Sequence, residues 1–174
     1  MRMSVASYRS MVNNAQGRLL EDMIEGAARA YRLKGRAQII KTPEPFRVLK
    51  KDRQHGRALV QFTAHAQPDF VGCLAGGQMI AFEAKHTSKD RINQSVVTDT
   101  QAAALDTYTK LGARTGVCCC IHDTYFMVPW EVWRQMGTIY GRKYATKEDF
   151  EPFRVPFDGV VRFLDPARGR QAWE

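Results

Sequence analysis

The sequence predicts a mixed α/β domain in which helices pack against one central sheet. Apolar residues recur at helical spacing from about Asn14 to Leu33, short β-prone runs follow, and a second helical pattern separates two of those runs. The chain has 174 residues, which suits a single domain over 1–174 with one sizeable core.

In the first helix, Leu20, Met23, Ile24, Ala27, Ala28 and Tyr31 form one apolar stripe, and Gly35 suits its stop. Ala37 to Lys41 reads as a strand ended by Pro43 and Pro45. From about 46 to 67 the pattern predicts an inserted, protruding strand pair that turns at Gly56. The next strand runs from Asp69 to Leu74, and a Gly76-Gly77 turn leads into Gln78 to Lys85. Thr98 or Asp99 caps a helix reaching Leu111, with Gly112 as its stop. Arg114 to Ile121 is a buried strand, and His122-Asp123-Thr124 turns into a strand over Tyr125 to Val128. Pro129 occupies the first position of a short helix ending at Met136, on which Trp130, Trp133 and Met136 share one face, either core or dimer interface. Past Gly137 the chain reads as irregular until a last edge strand over Gly159 to Leu164.

Composition narrows the function. The chain is 44% hydrophobic and 25% charged, ordinary for a globular protein. No apolar run approaches the roughly 20 residues a membrane span needs. No apolar region follows Met1-Arg2-Met3-Ser4, so the expected address is the cytoplasm. A formal net charge of +8 attracts polyanions, and nucleic acid is the commonest large one there. Cys118, Cys119 and Cys120 are consecutive and point alternately on a strand, so they cannot close a tetrahedral zinc site. With Cys73 they read as reduced, mostly buried thiols, and His55, His65, His86 and His122 show no ligand spacing.

The chemistry concentrates at Asp69, Glu83 and Lys85. On the strand ending at Lys85, Ile80, Phe82 and Ala84 share one face while Glu83 and Lys85 share the other. The Gly76-Gly77 turn folds the strand carrying Asp69 back beside Glu83, so two carboxylates and an ammonium converge. Phosphodiester hydrolysis uses such a set. Carboxylates are hard oxygen ligands for Mg²⁺, and the lysine can orient water or neutralise developing charge. The Ala84 carbonyl, between the two side chains, is a third candidate ligand. The competing reading is a surface Glu–Lys pair with Asp69 as a turn residue. Glu21, at the margin of the first helix's stripe, either supports the site or is a solvated helix carboxylate. Gln101 shares a helical face with Leu105 and Tyr108, so it either reaches substrate or water at the site or is a satisfied buried amide.

These residues resemble the motif series of RecU-type Holliday junction resolvases, in the PD-(D/E)xK nuclease superfamily. The resemblance is carried by Gly17-Arg18-Leu19-Leu20-Glu21, Lys41-Thr42-Pro43-Glu44-Pro45, Asp69-Phe70-Val71-Gly72, Phe82-Glu83-Ala84-Lys85 and Gln101, over about Asn14 to Val128. It implies a restriction-endonuclease-like mixed sheet flanked by helices, a protruding basic stalk, and a Mg²⁺- or Mn²⁺-dependent homodimer cutting four-way DNA junctions. By position, Asp69 and Glu83 become metal ligands, Lys85 the catalytic lysine, and Glu21 and Gln101 supporting residues. The stalk match makes Lys50, Lys51, Arg53 and Arg57 candidate junction contacts. Lys41, Arg47 and Phe62 join them as candidate DNA contacts; for the basic stretch a solvated loop is the competing reading, and for Phe62 packing is the commoner one. Two other functions compete: a related nuclease acting on duplex or phage DNA, and a non-catalytic junction-binding protein.

Overall fold

The computed structural model describes residues 5–43, 45–63 and 67–167, with backbone alone for 5–14 and for Phe62. The chain opens with α1 (Val5–Leu33), β1 (Ala37–Lys41), β2 (Phe46–Asp52), β3 (Arg57–Phe62), β4 (Phe70–Leu74), β5 (Met79–Thr87) and β6 (Arg91–Asn93). It continues with α2 (Asp99–Lys110), β7 (Arg114–Ile121), β8 (Thr124–Pro129), α3 (Trp130–Arg134), α4 (Met136–Tyr140), β9 (Tyr144–Thr146) and α5 (Lys147–Phe150). The main sheet has the order β1-β4-β5-β7-β8. Its β5–β7 pair is parallel and the rest antiparallel, with α2 in the long crossover that parallel neighbours require. This is the mixed sheet flanked by helices that the sequence predicts.

Strand alternation divides the core between the two faces. Ile80, Phe82, Cys118 and Cys120 pack toward Leu20, Ile24 and Tyr31 of α1. Val117, Cys119 and Ile121 pack toward Leu105 of α2 and the Trp130, Trp133 and Met136 group. The cysteine run is therefore split between two cores, and only Cys73 is exposed. The tryptophan helix is core.

The sheet's close packing depends on Gly72. Its β1 partner is Ile39, and a Cβ at Gly72 would stand 2.2 Å from the Gln38 carbonyl oxygen and 2.7 Å from the Ile39 Cα. Only glycine lets the two backbones approach so closely.

The hairpin of β2 and β3 is a separate two-stranded sheet, as expected, and every residue of β2 is exposed. The sequence reading needs correction elsewhere. Helix α1 starts at Val5, earlier than Asn14. Pro129 ends β8 and stands as the N-cap of α3 with an extended backbone, not in the first helical position. Gly159 to Leu164 is no edge strand: it holds one isolated bridge, Phe157 with Val161, and lies against α1. Between Gly137 and Gly159 the chain forms β9 and α5, and β9 pairs with β6 in a second small sheet. Among the described residues no helix is long and apolar enough to cross a membrane.

Replacing Gly72 by alanine is expected to cost about 2–3 kcal/mol, since the clash is with backbone that cannot rotate away. Gly17, in α1 with nothing near its Cβ position, is the control: Gly17→Ala should gain about 0.5–1 kcal/mol. Urea unfolding of both variants checks the pair, and equal midpoints would refute the close-approach role.

Candidate active site

The hairpin register sets the site. Phe70 pairs with Phe82 and Val71 with Ala81, so one step further Asp69 stands opposite Glu83. Opposite residues in an antiparallel pair share a face, and here that face looks toward α2. The Ala84 N–H donates to Asp69 Oδ2 at 2.9 Å, which locks the aspartate against β5. Lys85 Nζ reaches Glu83 Oε2 at 2.8 Å and Asp69 Oδ2 at 3.5 Å. The three groups thus converge as the spacing predicts. His86 follows the parity of Phe82 and Ala84 on β5, away from Glu83 and Lys85.

Electrostatics follow from burial. Glu83 has no solvent exposure, and its second oxygen, Oε1, is buried without a hydrogen-bond partner. Burial pushes its carboxyl well above the usual carboxylate range; Lys85 pulls it down and the Asp69 charge pushes it up again. Burial works against the Lys85 charge as well, but Asp69 and Glu83 outweigh it and hold the ammonium above the ordinary lysine value. The lysine stays charged.

Gln101 completes the group through its place on α2. Thr98 caps that helix: its side chain accepts from the Gln101 N–H, and Gln101 Oε1 accepts from the Thr98 N–H at 3.1 Å. With its oxygen committed to the cap, the amide must turn its nitrogen outward, and Nε2 donates to Glu83 Oε2 at 2.6 Å. A helix cap therefore orients a site residue. Thr42, Pro43, Pro45, Gln67, Pro68, Asp69, Thr98, Thr100 and Gln101 line one open cleft at the base of the β2–β3 hairpin. Thr42 was not singled out as a site residue by its own chemistry. Its hydroxyl is buried without a partner, a tertiary property with no signal in a Thr-Pro dipeptide.

The donors present fit a hard divalent cation. Glu83 Oε1 is an acceptor withdrawn from water and left unsatisfied, which is costly unless a ligand completes it. Among the described residues no three His, Cys, Asp or Glu side chains gather at one point. A cation here would rest on Asp69 and Glu83, completed by peptide oxygen, water and substrate, a set that suits Mg²⁺ or Mn²⁺.

The other predicted residues share no recorded hydrogen bond or ion pair with Asp69, Glu83 or Lys85. Glu21 accepts from Lys41 Nζ at 2.6 Å, so each occupies the other at the end of β1. Lys50, Lys51, Arg53 and Arg57 are exposed on the β2–β3 hairpin. Its acid, Asp52, is taken by His55 in the turn, at 2.9 Å, and Arg47 reaches Gln61 at 3.4 Å. The hairpin's positive charge is therefore largely unneutralised. Phe62 pairs with Phe46 through the backbone, and its side chain lies outside the described residues.

No curated protein matches the chain. Among solved structures it is similar to that of Archaeoglobus fulgidus Hjc, a Holliday junction resolvase from an archaeal hyperthermophile. The two are 14% identical, over 74% of this chain and 89% of that one, with a TM-score of 0.46. The family model described as recombination protein U matches residues 15–156 and extends the resemblance beyond Val128. That span includes the two carboxylates, the lysine, the glutamine and the basic hairpin, and the chain belongs to the recombination protein U family.

Proposed function

We propose that this protein is a metal-dependent endonuclease that resolves four-way DNA junctions by paired phosphodiester hydrolysis. The observation that carries the reading is the convergence of Asp69 Oδ2, Glu83 Oε2 and Lys85 Nζ, with the other Glu83 oxygen, Oε1, buried and without a hydrogen-bond partner. A bound Mg²⁺ or Mn²⁺ would lower the pKa of a water and stabilise charge on the phosphate oxygens. Asp69 and Glu83 would hold that ion, with the Ala84 carbonyl as a further ligand. Lys85, kept protonated by both carboxylates, neutralises negative charge building on the phosphate or orients the attacking water. Gln101 fixes the Glu83 carboxylate at 2.6 Å and presents the N-terminal end of α2 to the cleft. Glu21 acts indirectly, by holding Lys41 where β1 meets the cleft.

The cleft opens at the base of the basic hairpin, so DNA held by Lys50, Lys51, Arg53 and Arg57 passes the catalytic group. Arg47, Lys41 and Phe62 extend that surface. Cutting two strands of a junction symmetrically needs two such sites, which a homodimer supplies by two-fold symmetry. The working compartment is the one that holds the DNA, here the cytoplasm.

Incubation with a mobile four-way junction and with matched linear duplex, in Mg²⁺ and then in EDTA, tests the reading. Paired symmetrical nicks confined to the junction and abolished by EDTA are expected. Duplex cutting would make the protein a nuclease of another specificity, and binding without cleavage in either metal would leave an architectural DNA binder. Asp69→Ala and Glu83→Ala should each lower the cleavage rate by about 10³-fold or more while junction binding persists. Wild-type rates in both would remove these residues from the site. Gln101→Ala, which frees a carboxylate without removing it, should cost about 10–100-fold in rate. A Lys50/Lys51/Arg53 triple alanine should weaken junction binding and lower the slope of log affinity against log salt by about 2–3. A steady slope would exclude the hairpin from the interface.

A further inference from the structure

The small sheet of β6 and β9 bears a feature that the nuclease chemistry leaves unused. Arg91 and Arg142 both stack on the Tyr144 ring, with guanidinium carbons 4.6 Å and 4.9 Å from its centroid. Two like charges on one aromatic ring repel unless something holds them. Arg142 is held: its guanidinium donates to the Tyr140 carbonyl at 3.0 Å and pairs with Asp149, which caps α5. Arg91 is exposed and, among the described residues, makes no ion pair and no hydrogen bond, so its donors face water. Lys89, two residues earlier, is exposed as well.

The sheet's position gives these charges meaning. Ile92 and Ala145 are opposite one another and buried in the core on the α2 side. By alternation, Arg91, Asn93, Tyr144 and Thr146 form the outward face. Glu83 and Lys85 lie on the same side of the main sheet, beside Val117 and Cys119 of that core. The segment carrying Arg91 leaves the site after Lys85 and returns to it at Thr98 and Gln101. It is pinned in between: Gln94 Nε2 donates to the Trp133 and Arg134 carbonyls, and Trp133 Nε1 donates to the Gln94 carbonyl. The basic hairpin departs from the β1–β4 side of β5, whereas this sheet lies toward β7 and β8. On the side away from the hairpin stand Lys89 and Arg91, with one exposed acid, Asp90, between them in the chain, while Arg142 is paired with Asp149.

We infer that the Arg91–Tyr144–Arg142 stack, with Lys89, is a second DNA-backbone contact, which grips duplex on the side of the cleft away from the hairpin. The inference rests on the nuclease reading and extends its substrate surface. A guanidinium held over a ring, as Arg91 is, keeps donors free for a phosphate and has already lost part of the side-chain freedom that binding would otherwise cost. The contact is to phosphates, so it carries no sequence preference.

Junction and duplex affinities measured in EDTA across a salt series test it. A Lys89→Gln/Arg91→Gln double variant should lower the salt slope by about 2 and weaken binding at least about 10-fold at moderate salt, on both DNAs. Arg91→Lys keeps the charge and loses the planar stack, so it should bind more weakly than wild type and more tightly than the double variant. Lys34→Gln, in the turn just after α1, is the control and should leave the slope unchanged. A double variant with the wild-type slope, or a control that lowers it equally, overturns the inference. If wild-type protein still nicks junctions in Mg²⁺, the nuclease reading survives that failure; a wild-type protein that neither binds nor cuts DNA ends both.

Discussion

A carboxylate sealed from water, directly across a strand pair from a second carboxylate, is the constraint around which the rest is arranged. Like charges facing one another across a ladder destabilise a sheet. Here the Asp69–Glu83 opposition is built into the register of β4 and β5 and cannot relax without shifting the whole hairpin. Three donors make it tolerable: the Lys85 ammonium touching both acids, the Ala84 N–H on Asp69, and the Gln101 amide on Glu83. None of them reaches Glu83 Oε1. The recorded bonds all go to Asp69 Oδ2 and Glu83 Oε2, and Glu83 Oε1 is left buried without one, a local cost that the proposed cation would offset.

How much of this was legible depended on whether the determinant was local. Strand parity placed Glu83 and Lys85 on one face, and the Gly76-Gly77 turn brought Asp69 beside them, because both rules act within a few residues. The inward aim of Gln101 was readable from its spacing to Leu105. Its commitment to Glu83 was not, since it comes from the cap at Thr98 turning the amide. The β6–β9 pair escaped because each strand has only three residues, too few to show alternation, and its partners are far apart in sequence. The Gly159 to Leu164 segment misled for the opposite reason. Its apolar residues are buried as a strand's would be, but the burial comes from packing on α1, with Phe163 edge-on to Tyr31 at 5.2 Å. Glu21 was placed near the site by its helix and then claimed by Lys41, a tertiary pairing that no local rule forecasts.

Under the proposed function, gripping and cutting fall to parts of the molecule that differ in support. Glu83 and Lys85 lie on the central strand of a five-stranded sheet with a core on each face, and Asp69 stands just before β4 beside them, where a displacement of one residue disturbs both cores. The hairpin has no comparable support. All of β2 is exposed, with Phe46, Leu49 and Leu59 more than half accessible, and an isolated strand pair is marginal in water. What fixes it is its root, where the Thr63 N–H and hydroxyl both bond the Pro45 carbonyl at the edge of the cleft. Phosphate contacts tolerate such looseness, because charge attraction falls off slowly with distance and needs no fixed angle.

With the phosphate contact inferred above, the β6–β9 sheet would combine the two properties and bear on geometry as well as affinity. Its inner residues, Ile92 and Ala145, belong to the same core as the strands behind Glu83 and Lys85. A phosphate held by Arg91 would therefore stand at a fixed offset from the catalytic group, whereas one held by the hairpin would not. A hairpin alone could capture DNA and still leave the scissile bond sampling many positions over the carboxylates. One rigid contact on the far side of the cleft would remove most of that freedom, and a misplacement of even about 1 Å at a reacting centre can cost roughly 10²-fold in rate.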